Sequence, residues 1–178
     1  MEEVSAADFK TKYASEIKEG NFHVFVYEKD GDKKYVFPLA GNGLWGAIWG
    51  YISVESDKNT VCGVDFSHDS ETPGLGAEIT ADKFKSQFAG KKVVKDAQVA
   101  LTVVKNGNVS DAEVECDGIS GGTLTSNGVR DMLQNCLKNY KEFLSASCEN
   151  AAASCADTIA ACTDTIAAAA TAVNDSIN

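Results

Sequence analysis

No apolar run in this sequence approaches the roughly 18 consecutive residues that a membrane-crossing helix requires, so nothing in it reads as a bilayer span. A secretory leader is not expected either, because Met1-Glu2-Glu3 supplies neither a basic stretch nor an apolar one. As given, the chain reads as soluble, and it suits equally the soluble part of something longer. Positive charge is scarce. Sixteen Lys and Arg stand against 26 Asp and Glu, a formal charge of −10, which argues against nucleic acid as a partner. Histidine is nearly absent: His23 and His68 lie far apart, and no Cys-x-x-Cys occurs, so the six cysteines do not lay out a metal site. Cys62, which alternates with Val64 and Phe66, and Cys136, on an apolar helix face, read as core residues. Cys116 is left unassigned.

What is present is ordinary for one globular domain. Apolar residues make up 44% and charged residues 24% of the 178 positions. A chain of this length buries roughly 70% of its unfolded surface and needs no staples. Residues 5–18 read as a helix, with Ser5 and Asp8 as a capping pair, Phe9, Tyr13 and Ile17 on one face, and Gly20 as the stop. "NFHVFVYEKDGDKKYVFPL" predicts a hairpin through Asp30-Gly31, and "YISVES" with "NTVCGVDFSH" a second one turning near Asp57 to Asn59. A helix is expected over 80–89, capped by Thr80, with Phe84 and Phe88 on one face and Gly90 at its end. "VALTVVKNGNVSDAEVE" predicts a third hairpin through Asn106-Gly107. Val129, Met132, Leu133, Cys136, Leu137, Tyr140 and Leu144 then trace one face of a helix. Strand pairs and scattered helices without a βαβ repeat give an α+β class, a largely antiparallel sheet with flanking helices.

After Ser145 the composition changes, which divides the chain into 1–145 and a tail, 146–178. The tail is rich in alanine, repeats "CADTIAA" as "CTDTIAA", and keeps Cys148, Ala152, Cys155, Ile159, Cys162, Ile166, Ala169 and Val173 at a 4-3 spacing. It reads as an alanine-rich C-terminal helix with a narrow heptad seam, lying on its own domain or docking to a partner. A seam so narrow is marginal for a lone helix, which favours the first.

The chemistry concentrates in "DGISGGTLTSNGV", residues 117–129. Gly118, Gly121 and Gly122 allow close backbone approach, and Thr123, Thr125 and Ser126 sit where a helix begins, with free amides and a favourable dipole. That is a seat for phosphate. The same residues also read as a plain glycine turn with Thr125 or Ser126 as helix cap, and the spacing matches neither GxxxxGK[ST] nor GxGxxG. The wording is more specific than the spacing. "DGISGGTLTS" resembles the D-G-x-[ST]-G-A-[ST] flavinylation motif of the FMN-binding domain family, in which a flavin transferase links FMN from FAD to the last threonine through a phosphoester. The resemblance implies Thr123 as the attachment residue, with Asp117, Gly118, Ser120 and Gly121 in the other fixed places and Gly122 where alanine is usual.

Two further stretches, "PLAGNGLWGAIWGYISV" (38–54) and "HDSETPGLGAEIT" (68–80), together with "FKSQFAGKKV", resemble the C subunits of Na+-translocating NADH:quinone oxidoreductases across most of residues 35–144. The paired tryptophans favour these over the related G subunits of Rnf electron-transport complexes. The resemblance implies a covalent FMN carrier that passes electrons toward quinone within a membrane complex, has no catalytic acid, base or nucleophile of its own, and is matured by a flavin transferase. Its other partners are then the remaining subunits of the complex. It also implies a place on the outer, periplasmic face of the bacterial inner membrane, held by an N-terminal anchor that this chain lacks. The cofactor-binding set expected is Ser120, Gly121, Gly122, Leu124, Thr125, Glu71, Thr72, Gly74, Leu75, Gly76 and Trp45. Pro73-Gly74 is read as a type II turn presenting amides, Leu75 with Trp45 and Trp49 as apolar faces, and Glu71 as a polar contact. Core packing is expected for at least one tryptophan, and a structural place for His68. Two other readings remain: a carrier holding FMN without attachment, and a structural protein whose tail does the work.

Overall fold

The computed structural model describes residues 22–29 and 31–145. The helix expected over 5–18 and the tail from 146 lie outside them. Both hairpins expected from the first half of the sequence form. Strand β1 (Phe25–Lys29) pairs antiparallel with β2 (Asp32–Asn42), and Gly31 between them takes a φ of 88°, which glycine adopts without strain. β3 (Ala47–Val54) and β4 (Val61–His68) complete a four-stranded antiparallel sheet in the order β1-β2-β3-β4. Its register sets Phe37 opposite Ile52 and Ile52 opposite Val64, so the period-two pattern places all three on one face, where they are buried. The β3–β4 turn is locked by Asp57, whose Oδ1 accepts the Asn59 and Thr60 amides at 2.9 and 2.8 Å.

The chain after β4 covers one end of that face. Where a single helix over 80–89 was expected, three short pieces follow one another: a 3₁₀ turn at Gly76–Thr80, α1 (Asp82–Lys85), and a second 3₁₀ turn at Ser86–Phe88. Thr80 does not cap α1. Its hydroxyl donates back to Ala77 O, and the capping position is Ala81, with no side-chain bond. The apolar spacing served its purpose regardless: Phe84 and Phe88 are buried and pack against Phe66 and each other. A two-residue hairpin, β5 (Val94–Lys95) with β6 (Gln98–Val99), comes next.

The third predicted hairpin is not one. β7 (Thr102–Val104) and β8 (Glu115–Asp117) pair in parallel. Asn106-Gly107 does turn, with Asn108 N donating to Lys105 O, but the turn is fastened to the far end of β8 rather than to its start. Asn106 Nδ2 donates to Gly118 O at 2.9 Å, and Gly107 N to Asp117 Oδ1 at 2.8 Å. The chain therefore runs back over 108–114 before entering β8 alongside the beginning of β7.

The helix α2 (Thr123–Asn139) lies across the sheet, and the whole expected face of Val129, Met132, Leu133, Cys136 and Leu137 is buried. Tyr140 and Leu144, the latter in α3 (Lys141–Ser145), continue it. β1 covers β2 only as far as Val36, and α2 takes over beyond that point. Cys136 Sγ accepts from Ala40 N at 3.5 Å and donates to Ala40 O at 3.4 Å, satisfying a stretch of strand edge that β1 does not reach. Contact is close enough to exclude side chains: a Cβ on Gly41 would lie 2.7 Å from Met132 Cβ. This packing fixes where the first turn of α2 points.

Candidate functional site

Three segments converge at the N-terminal end of α2. One is the β2–β3 loop, closed by Gly43 N to Gly46 O at 2.8 Å, which carries Leu44 and Trp45 outward, 46% and 66% exposed. Another is the stretch after β4, where Leu75 N donates to Thr72 O at 3.1 Å and Gly74 takes a φ of 76°. That is the type II turn expected of Pro73-Gly74. The last is the glycine motif itself. Between them lies a cleft of about 300 Å³, lined by Leu44, Trp45, Glu71, Thr72, Leu75, Gly76, Gly121, Gly122, Thr123, Leu124 and Thr125. Leu75 leans over the motif, so that a Cβ on Gly121, whose φ is 78°, would sit 2.8 Å from Leu75 Cδ2.

The helix begins at Thr123, directly after Gly122, and no side chain caps it. Neither Thr125 nor Ser126 does so, although the simple reading of the motif had one of them in that place. Ser126 Oγ instead accepts from Ile119 N at 2.9 Å and donates to Gly122 O, folding the motif loop back on the helix. Thr125 is buried and its hydroxyl donates to Glu71 Oε2 at 2.6 Å. Thr123 and Leu124 are exposed, Leu124 by 59%. An exposed hydroxyl thus stands at an uncapped helix N-terminus, where open amides and the helix dipole favour an anion. The eleven residues lining the cleft include no lysine or arginine, so the terminus itself is the local source of positive potential.

Glu71 is not a solvated surface charge. It is 5% exposed, and Oε1 accepts the Trp45 amide at 2.8 Å while Oε2 accepts from Thr125. Burial pushes its carboxyl up, but hydrogen bonds from Thr125 and from the Trp45, Leu44 and Gly46 amides overcome that and hold it below its ordinary value. The carboxylate is ionised, and each of its oxygens accepts a hydrogen bond. His68 is structural, its Nδ1 taking the Glu71 amide at 3.3 Å.

Of the residues singled out from the sequence, Trp45, Glu71, Thr72, Leu75, Gly76, Gly121, Gly122, Thr123, Leu124 and Thr125 line the cleft; Gly74 and Ser120 are exposed beside it without lining it. Asp117 and Gly118 lie behind the motif. The Asp117 carboxylate holds the Gly107 amide, and its own backbone is paired at both N and O by the Gln87 side chain, at 2.8 and 3.3 Å. Gly118 is buried against Val104 O, to which its amide donates. Trp49 is half-buried on β3 and does not reach the cleft. Sequence reasoning passed over Leu44 and Gln87. Leu44 was findable as the exposed neighbour of Trp45; Gln87 carried no signal, because its partner is backbone.

Residues 43–138, more than half of the chain, match the model of the FMN-binding domain. The chain belongs to the FMN-binding domain family. Its relatives there include the C subunit of the Na(+)-translocating NADH-quinone reductase of Vibrio anguillarum, 44% identical over 117 residues that make up 64% of this chain and 46% of that protein. The protein of the same description from Pasteurella multocida is 42% identical over 127 residues, 68% of this chain and 48% of that one. The chain thus spans about half the length of these relatives. A crystal structure of the corresponding C subunit from Parabacteroides distasonis superposes with a TM-score of 0.70 at 48% identity, covering 74% of this chain and 67% of that one. Shewanella oneidensis NqrC gives 0.61 at 33% identity, over 70% and 61%. The four-stranded antiparallel sheet with flanking helices is the architecture these structures share with it. An FMN suits this cleft: the uncapped terminus meets the needs of its phosphate, and exposed Trp45, Leu75 and Leu124 those of an apolar ring.

Proposed function

We propose that this domain is the flavin-carrying part of a subunit of a Na+-translocating NADH:quinone reductase, with FMN joined by a phosphoester to Thr123. The observation that carries the reading is the exposed Thr123 hydroxyl at the uncapped start of α2, on the rim of a cleft with apolar walls. Attachment forms a bond between Thr123 Oγ and the FMN phosphorus of an FAD donor; the hydroxyl proton and AMP leave. The reaction is assigned to a separate flavin transferase. Glu71, the one carboxylate lining the cleft, accepts from Trp45 N and Thr125 Oγ1.

Once attached, FMN supplies electron transfer. The chain's own share is to hold and orient. The first turn of α2 faces the phosphate with its amides. Trp45, Leu75 and Leu124 offer apolar contact that excludes water, and the Thr72–Gly76 turn brings backbone close, Gly76 having no room for a Cβ beside Glu71 and Thr125. In the complex the domain would face the periplasm and pass electrons toward quinone through neighbouring subunits. The buried part of the motif, Asp117 and Gly118, would act by fixing the loop rather than by touching the cofactor.

The test is the intact mass of the protein co-expressed with a flavin transferase. Wild type gains one FMN less one water, and Thr123→Ala gains nothing. An unmodified wild type, beside a known substrate that the same transferase does modify, ends the covalent reading. Flavin that co-purifies equally with both proteins and is lost on denaturation favours a non-covalent carrier.

A further inference from the structure

Two walls of the cleft, the Leu44–Trp45 loop and the first turn of α2, share no backbone hydrogen bond among the described residues. Glu71 stands between the two. One carboxylate oxygen accepts from Trp45 N at 2.8 Å and the other from Thr125 Oγ1 at 2.6 Å. The surroundings are built to admit this one carboxylate. A Cβ on Gly43 would run into Glu71 Oε1, and one on Gly76 into Glu71 Oε2 and Thr125 Oγ1. Two glycines therefore make room for this one side chain. A carboxylate buried for solubility or left over from the surface has no use for such a setting.

We propose that Glu71 is the positioning residue of the flavin cleft, a clamp that ties the Trp45 loop to the first turn of α2 so that the cleft is formed before any flavin arrives. The idea that a flavin occupies this cleft rests on the function proposed above; the clamp itself does not. Charge makes it effective. Hydrogen bonds to an ionised acceptor are roughly twice as strong as those to a neutral one, and both oxygens of this carboxylate are engaged. The Trp45 amide is held in this way even though the Leu44 and Trp45 side chains are exposed.

The clamp is tested by amide hydrogen–deuterium exchange of the protein made without flavin or transferase. Glu71→Gln retains the size of the side chain but has one accepting oxygen in place of two, and it is neutral. Exchange at the Leu44, Trp45 and Gly46 amides is expected to rise on the order of tenfold, as befits loss of charge-assisted bonds. The amides of Ile52 and Val64 in the sheet should not change. Thr125→Ser, which retains the hydroxyl, should match wild type, whereas Thr125→Val should loosen the same three amides by a smaller factor. A merely structural threonine would not distinguish the two. Glu78→Gln, at an exposed carboxylate nearby, serves as the control and should leave these amides alone. Unchanged exchange at 44–46 in Glu71→Gln overturns the clamp, and so does a Thr125→Val protein indistinguishable from Thr125→Ser. Should Glu71→Gln fail to fold, the threonine pair decides. A protein that takes no flavin at Thr123 yet shows this exchange pattern would refute the proposed function and leave the clamp standing.

Discussion

Gly128→Ala sets two elementary expectations against each other. Gly128 lies inside α2, where replacing glycine by alanine ordinarily gains about 1 kcal/mol of helix propensity. Here the added methyl would press on the Asn42 carbonyl oxygen and lie 3.1 Å from Gly43 Cα. Both neighbours are backbone at the root of the β2–β3 loop, so neither can swing aside as the end of a side chain would. Overpacking of a tight interface costs about 1–3 kcal/mol, and rigid neighbours place this site toward the upper end. The net expectation is destabilisation of about 1–2 kcal/mol, or a Tm lower by roughly 2–8 °C for a chain of this size. Urea unfolding followed by circular dichroism reads it as a lower midpoint at constant slope. The displaced loop also carries Trp45, so flavin loading at Thr123 should fall in the same variant. A Gly128→Ala protein more stable than wild type would show that propensity governs and that α2 does not seat against the loop as described.

Leu133→Ala removes a fully buried side chain between α2 and the sheet and should cost about 2–5 kcal/mol, measured by the same unfolding experiment. Asp57 should matter in a defined pH window. Burial raises its carboxyl, but bonds from the Thr60 hydroxyl and the Thr60 and Asn59 amides, with Lys92 nearby, hold it below its ordinary 3.8. The stabilisation it brings is therefore present in full above that value and fades as the pH falls through the lower, folded one. Asp57→Asn should be less stable than wild type at neutral pH, the gap closing in strong acid; a gap unchanged by pH would contradict the assignment. Burial pushes the Cys116 thiol up to about 12, so it should resist iodoacetamide at about pH 8 in the native protein and react once unfolded, as read from its peptide mass.

The elements legible in the sequence were those whose signal is local. Gly31 turned the first hairpin, and the spacing from Val129 to Leu144 marked the buried face of α2 and α3. Asn106-Gly107 gave an equally strong local signal and was misread, because whether the chain pairs across such a turn depends on Asp117 and Gly118, which hold it from further along the chain. The break-up of the 80–89 helix had a similar origin: the apolar spacing fixed which residues are buried but not whether the turns between them are α or 3₁₀. At the site, resemblance supplied residue identities and the structure supplied their division of labour. Glu71, expected as a polar contact, lines the cleft and also bonds the Trp45 amide, a backbone partner that no pattern of side chains reveals. Leu75 and Trp45, expected as apolar contacts, do line the cleft; Trp49, expected beside them, stays on the sheet.

The claim on which the rest depends is the bond at Thr123. After co-expression with a flavin transferase, the protein is unfolded in urea, desalted and examined for flavin absorbance. The account predicts that absorbance travels with the wild-type polypeptide, maps to the peptide containing Thr123, and is missing from Thr123→Ala, which folds as well as wild type. Flavin left behind on the column, or found on any other residue, would contradict it.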